Sequence, residues 1–256
     1  MPHSPIGPCQ VRVFPSSETL PENLLRVHLC FDEPPCVDSI SRAVRLFDRA
    51  GGEVVHPFLD LPEGLWDPSG TRLTLLLHPA RIKSGLAARE AMGPAVRRSR
   101  TYRLEIDLGL LAGEKASGRF VHLHDFDVGD PLVDVVRPMA WSVSPAPAGT
   151  LAPLRIAFDR TMDRLGLENG FAIEGPDSEG IAFDLSVGPG ERDVRLAPQH
   201  PWRGGPYQLW MSPDLEDVAG NRIASGFEEA SGRIISSRET PTLLVFEPDR
   251  PDRVGE

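Results

Sequence analysis

Two stretches far apart in the chain carry the same alternation of apolar and polar positions. Val27 to Asp32 reads VHLCFD and Leu154 to Asp159 reads LRIAFD, with Val27, Leu29 and Phe31 alternating as Leu154, Ile156 and Phe158 do. A period of two turns one face of a strand into a core and the other toward water. The same rhythm predicts strands at Gln10–Pro15, Ala43–Phe47, Leu73–Leu77, Thr101–Ile106 and Phe120–Val128. It returns at Trp141–Val143, Phe171–Glu174, Ile181–Val187, Val194–Leu196 and from Tyr207, with at most one more strand after Thr242. Pro34-Pro35 marks a loop, because proline cannot donate to a sheet ladder, and Gly51-Gly52 predicts a hairpin turn. Ala80 to Arg100 breaks the rhythm, and Leu86, Ala87, Ala88 and Ala91 predict a short helical excursion there.

The elements come in two matching sets. Trp141, Val143 and Pro145 answer Val11, Val13 and Pro15, and Val194 to Leu196 answers Leu73 to Leu75. The chain has only 2 tyrosines, and they fall at equivalent places, TYRLEI at Tyr102 and PYQLWM at Tyr207. A tyrosine opening a late strand, its hydroxyl pinned to nearby backbone, is a recurring corner of Greek-key sandwiches. AGEKASGRF (112–120) then answers AGNRIASGF (219–227). Units this long exceed solenoid repeats. The expected fold is all-β, two tandem Ig-like Greek-key β-sandwiches over residues 9–130 and 135–248, the first with a basic, partly helical insertion at about 80–100.

LRIAFDRTMD followed by PYQLWMSPDLEDVAGNRI resembles the bacterial Ig-like domain of the S-layer type. Its pattern is a Phe-Ser/Asp-x-x-Met-Asp strand end, a Tyr-x-Leu strand and an Asp-x-Ala-Gly-Asn turn. The second half matches through Phe158, Asp159, Met162, Asp163, Tyr207, Leu209, Asp217, Ala219, Gly220 and Asn221. The first half keeps Phe31, Asp32, Tyr102 and Leu104, but its turn has decayed to Leu111-Ala112-Gly113-Glu114. The resemblance implies a periplasmic, secreted or cell-surface protein whose modules space, adhere or accompany other domains. It carries over no catalytic residue.

Charge narrows the partners. With 27 Lys and Arg against 37 Asp and Glu, the formal charge is -10, which argues against a nucleic-acid backbone or an anionic membrane as the main partner. No apolar run reaches the length of a membrane span. MPHSPIGPCQ shows neither the charged start nor the apolar core of a secretory signal. The 3 cysteines, Cys9, Cys30 and Cys36, allow at most one internal bridge, and a Cys30–Cys36 or Cys9–Cys30 pair would indicate an oxidising compartment.

Chemistry-bearing patterns are few. His122 and His124, in VHLHDFDVGD, stand two apart, so a strand points both to one face, a spacing that suits two ligands of one divalent metal. Asp125, with Asp127 and Asp130, is placed to add a carboxylate from a loop. The competing reading makes both histidines polar outer-face residues, opposite Val121, Leu123 and Phe126. Asp214, Glu216, Asp217 and Asn221 form an oxygen-rich turn in which Asp217 is a candidate calcium ligand. Against this, Gly220-Asn221 predicts a left-handed turn merely decorated with acids. The four tryptophans are read either as a sugar-stacking platform or as core fillers. Arg81, Lys83, Arg89, Arg97, Arg98 and Arg100 form a basic island, and no Gly-x-Ser-x-Gly nucleophile elbow occurs. The expected function is non-catalytic, an exported binding or structural protein that engages a protein or glycan and needs no cofactor. A small periplasmic metal-binding protein using His122 and His124 is the alternative, and an enzyme with a site between the domains is third.

Overall fold

A computed structural model describes residues 10–35, 40–61, 63–78, 81, 93–111, 120–223 and 242–249. The chain divides between Leu132 and Val133 into two units.

The second unit holds β10 (Ser142–Ser144), β11 (Leu154–Ala157), α1 (Arg164–Asn169), β12 (Phe171–Glu174), β13 (Phe183–Val187), β14 (Asp193–Pro198), β15 (Tyr207–Met211) and β16 (Thr242–Phe246). One sheet runs β10-β11-β14-β13 and the other β12-β15-β16. Lettered A to G in chain order, these are the A-B-E-D and C-F-G sheets of a seven-stranded Ig-like sandwich. Alternation decides which residues face inward: Leu154 and Ile156 of β11 and Val194 and Leu196 of β14 meet Ile173, Tyr207, Leu209, Met211 and Phe246 of the other sheet in one buried cluster. Trp141 stacks edge-on against Phe158 at 4.7 Å, and Trp202 lies edge-on to both Tyr207 and Phe246.

The first unit holds β1 (Val11–Phe14), β2 (Thr19–Pro21), β3 (Arg26–Phe31), β4 (Val44–Asp48), β5 (Gly52–Glu53), β6 (Leu65–Trp66), β7 (Arg72–Leu76), β8 (Thr101–Asp107) and β9 (Val121–Gly129), with four-residue helices at Ile40–Ala43 and Leu108–Leu111. Its sheets run β1-β3-β7-β6 and β2-β9-β8-β4-β5. The first of these repeats A-B-E-D, and β9-β8-β4 repeats G-F-C. Two strands are extra: β5, added by the Gly51-Gly52 hairpin, and β2, which pairs in parallel with β9. No alternation marks β2, because three residues are too short for one to register. The helical excursion expected from Leu86 to Ala91 lies outside the described residues, while 93–100 is non-helical and buries Ala95 and Val96.

The tyrosines hold equivalent places in three dimensions. The Tyr102 hydroxyl accepts the Arg97 backbone N–H at 3.0 Å, and that of Tyr207 accepts the Arg203 N–H at 2.8 Å. Each ring stacks on the phenylalanine opposite it in the ladder, Tyr102 on Phe126 at 5.9 Å and Tyr207 on Phe246 at 5.4 Å. Both tyrosines are buried, as a corner that anchors the approach to strand F requires. Among the described residues no helix is long and apolar enough to cross a membrane.

Candidate binding cleft in the first unit

Asp217 sits at the centre of a structural hub. Its side chain is buried, with Oδ1 accepting the N–H groups of Ala219 (2.9 Å) and Asn221 (3.0 Å). Oδ2 accepts Asn221 Nδ2 (2.9 Å) and Arg160 Nη1 (3.2 Å). Burial pushes this carboxyl up from its ordinary value, and the donors from Asn221, Arg160 and Ala219 pull against that rise. The turn is locked to the segment 158–163: Met162 bridges Asp217, Asp163 N–H donates to Glu216 O at 2.8 Å, and Arg160 also pairs with Asp159. Asp163 caps α1 through Leu165 N and Gly166 N. Gly220 takes φ 83°, the left-handed geometry the turn needs, and Asn221 does not share it. With donors aimed at both carboxylate oxygens, Asp217 is arranged to receive N–H groups rather than a cation.

His122 and His124 do share a face, and it is the inner one. They lie opposite Ile106 and Leu104 in the ladder and in line with Phe126 and Val128, whereas Leu123 is 48% exposed on the outside. This corrects the outer-face reading, which placed Phe126 on the wrong parity: residues 122, 124, 126 and 128 necessarily point one way. His124 lines a void of about 10 Å3 among Val13, Leu20, Leu24, Leu46, Leu104 and Phe126. Its Nε2 is buried and meets no hydrogen-bond partner among the described residues. Burial lowers the pKa of both histidines, and the proximity of His122 lowers that of His124 further.

Neither of the two expected metal sites assembles its ligands among the described residues. Asp125 belongs to β9 itself, not to a loop, and its side chain is on the opposite face, where Arg103 holds it through two 2.7 Å bonds. Asp217, expected in a separate calcium turn, has both oxygens engaged by N–H groups. Among the described residues no three metal-ligating side chains cluster.

The tryptophans are dispersed as well. Trp141 and Trp202 are core residues of the second unit, Trp66 leans on Phe31, and Trp210 is half-buried on an outer face with Nε1 donating to Glu174 at 2.9 Å. Of the basic island, Arg98 pairs with Asp130 and Arg100 with Asp48, and Lys83 and Arg89 lie outside the described residues. Arg81 is not a solvated cation. It is buried and donates to four backbone carbonyls: Val55 (2.7 Å), His56 (3.1 Å), Gly93 (3.0 Å) and Pro94 (3.0 Å). Arg81 thereby fixes a loop in which His56 adopts φ 46°, a left-handed value uncommon outside glycine.

That loop forms one lip of a cleft of about 470 Å3 between β4 of one sheet and β7 of the other. Val44, Leu46, Leu73, Leu75 and Phe58 make its apolar wall, and Glu53, His56, Asp60 and Arg45 supply polar groups. Val55 (71% exposed) and Leu65 (40% exposed) stand at its margin. The cleft exists because strand D is almost missing: β6 makes two pairs with β7, and Leu59 takes up β7 again through its N–H to Leu76 O at 2.8 Å. In the second unit β13 makes five pairs with β14, and Phe183, Leu185 and Val187 cover the core. The cleft was missed in sequence. Its available signal was negative, since Pro57 and Pro62 interrupt VVHPFLDLPEGLW where the second half has the alternating IAFDLSV.

No family model matches the chain, and no curated protein matches it. Among solved structures it is similar to native alpha-2-macroglobulin from Escherichia coli spanning domains MG0-NIE-MG1, at 14% identity over 78% of this chain and 66% of that one, with a TM-score of 0.26. It is similar also to a chimeric titin Z1Z2 functionalized with a KLER exogenous peptide from decorin, at 15% identity over 80% and 91% of the two chains and a TM-score of 0.21. Murine CEACAM1b matches at 12% identity over 80% and 92%, with a TM-score of 0.19. At TM-scores this low these likenesses carry no weight for function, and the fold stands on its own strand order.

Proposed function

We propose that the chain is a non-catalytic binding protein of the bacterial Ig-like kind, exported, with the first unit engaging a protein or glycan and the second serving as scaffold. One observation carries this: the same strand order is closed by a full strand D in the second unit and left open as a 470 Å3 cleft in the first. Cavities of this size with an apolar wall and a few polar groups are the usual form of a binding site. The lip is held by a buried arginine rather than left to float, which supports a preformed site.

The test screens the full chain against a glycan array and a displayed peptide library. Leu65→Trp and Val54→Trp, two independent cleft-filling variants, serve as comparisons. The reading expects identified ligands whose binding both variants lose while the melting temperature holds. Ligands that bind both folded variants as well as the parent would remove the cleft from the account.

A further inference from the structure

The cleft's lining also restricts what enters it. We infer that its occupant is an extended segment of a protein partner in which an aliphatic residue is flanked by lysine or arginine. This rests on the cleft being the binding site, and it goes further by naming the chemistry.

The wall is aliphatic apart from Phe58, so it offers apolar contact and no broad aromatic platform. Trp66 is turned to Phe31, and the other tryptophans belong to the second unit. A glycan, dense in hydroxyls, would leave most of its polar groups unmatched against Val44, Leu46, Leu73 and Leu75, a costly arrangement. An aliphatic side chain matches that wall.

The polar groups of the lining are unbalanced. Arg45, its one arginine, is already paired with Glu105 at 3.2 Å and lies over the Phe47 ring. Glu53 and Asp60 are exposed, and neither has an ion-pair partner among the described residues. The cleft therefore presents two unmatched carboxylates beside an apolar wall, in a chain of formal charge -10. Complementary charge steers encounter and rejects like-charged partners, so a cationic side chain is favoured and an acidic one penalised. A peptide also suits the edges beside the opening, since an extended segment can use backbone groups that a short strand D leaves to it.

The experiment titrates three capped tripeptides, Leu-Lys-Leu, Leu-Gln-Leu and Leu-Glu-Leu, into the isotopically labelled full chain and follows amide shifts at low and high salt. The expected result is shifts confined to residues 44–46, 53–61 and 73–76, with the lysine peptide at least tenfold tighter than the glutamate one and the gap narrowing in salt. In Glu53→Gln with Asp60→Asn the preference collapses toward parity, and in Leu65→Trp every peptide is lost. Equal binding of all three peptides in the cleft would overturn the charge chemistry and leave the cleft as the site. Glycan-array ligands that require an open cleft, with no peptide bound, would overturn the peptide class. Shifts lying wholly outside the cleft would remove both readings.

Discussion

The two units share a strand order and differ in what they place on it. In the register fixed by Tyr102 and Tyr207, the outer face of the first unit carries Arg45, Glu105 and Leu123 in one row and Phe47, Arg103 and Asp125 in the next. The second unit places Ala172, Trp210 and Leu243, then Glu174, Gln208 and Val245, at the same positions. A ladder of ion pairs on one copy is thus a largely apolar strip on the other. The inner face is reversed: His124 occupies the site where Leu244 packs against the second unit's core. Together with the open strand D, this leaves the first unit with a histidine on the inner face of strand G and a less closed frame. Surface and core chemistry vary freely on this frame. The tyrosine corner and the A-B-E and C-F-G pairing are the same in both.

The largest test of that contrast is Asp217→Ala. Removing the carboxylate leaves Arg160 and three other donors without their acceptor, and breaking such a buried charged network costs about 3–5 kcal/mol. Urea unfolding followed by tryptophan fluorescence reports it, because Trp141, Trp202 and Trp210 all lie in the second unit. A loss below about 1 kcal/mol, the range of exposed ion pairs, would mean the hub is not structural.

His124→Leu installs in the first unit what the second already has. It removes a buried unpaired nitrogen, whose burial costs about 1–3 kcal/mol, and the variant is expected to be more stable by an amount in that range. It also sharpens the acid response. The pKa values of His122 and His124 are lowered by burial, so their stabilising contribution is full above the ordinary histidine value near 6.5 and is lost as pH falls through the lowered values. Lower still, Asp125, held down by Arg103, and Asp67, held down by Ser69, withdraw their contributions below 3.8. Asp217 has the opposite sign. Its raised pKa means that any stability tied to the protonated form is full below 3.8 and fades as pH rises through the folded-state value. On acidification the first unit should therefore open before the second. Hydrogen exchange pulsed at fixed pH, comparing peptides of β8 and β15, reads the order directly, and His124→Leu should delay the first event.

The smallest effect is the most symmetrical. Tyr102→Phe and Tyr207→Phe each remove one hydrogen bond to backbone, and each is expected to cost about 1 kcal/mol in its own unit. A cost in one unit only would show that the shared corner is shared in geometry but not in energetics.

Much of this frame was legible before the structure. Val27, Leu29 and Phe31, and again Leu154, Ile156 and Phe158, point inward as their spacing requires, because a strand's period of two is a local property. The paired tyrosines located the corners for the same reason. The candidate metal ligands fared differently. That His122 and His124 share a face followed from spacing, but which face depended on β8 supplying Leu104 and Ile106 opposite them. Asp125 was joined to them by nearness in sequence, and Asp217 was read as a separate calcium ligand from the oxygen-rich turn around it. Type does not report that Arg103 or Asn221 has already engaged an oxygen. Arg81 misled in the same way, since sequence counts a cation and cannot see four carbonyls converging on it.

By itself, then, the sequence determined the β character and the doubling of the frame, since both are written in short-range alternation and turn chemistry. Only the tertiary structure decided that two distant segments, Phe158–Asp163 and Asp217–Asn221, close into one hydrogen-bonded hub. The cleft, too, was a tertiary outcome. It arises where two sheets leave uncovered space because the edge strand of one of them is short, and empty space has no residue to announce it.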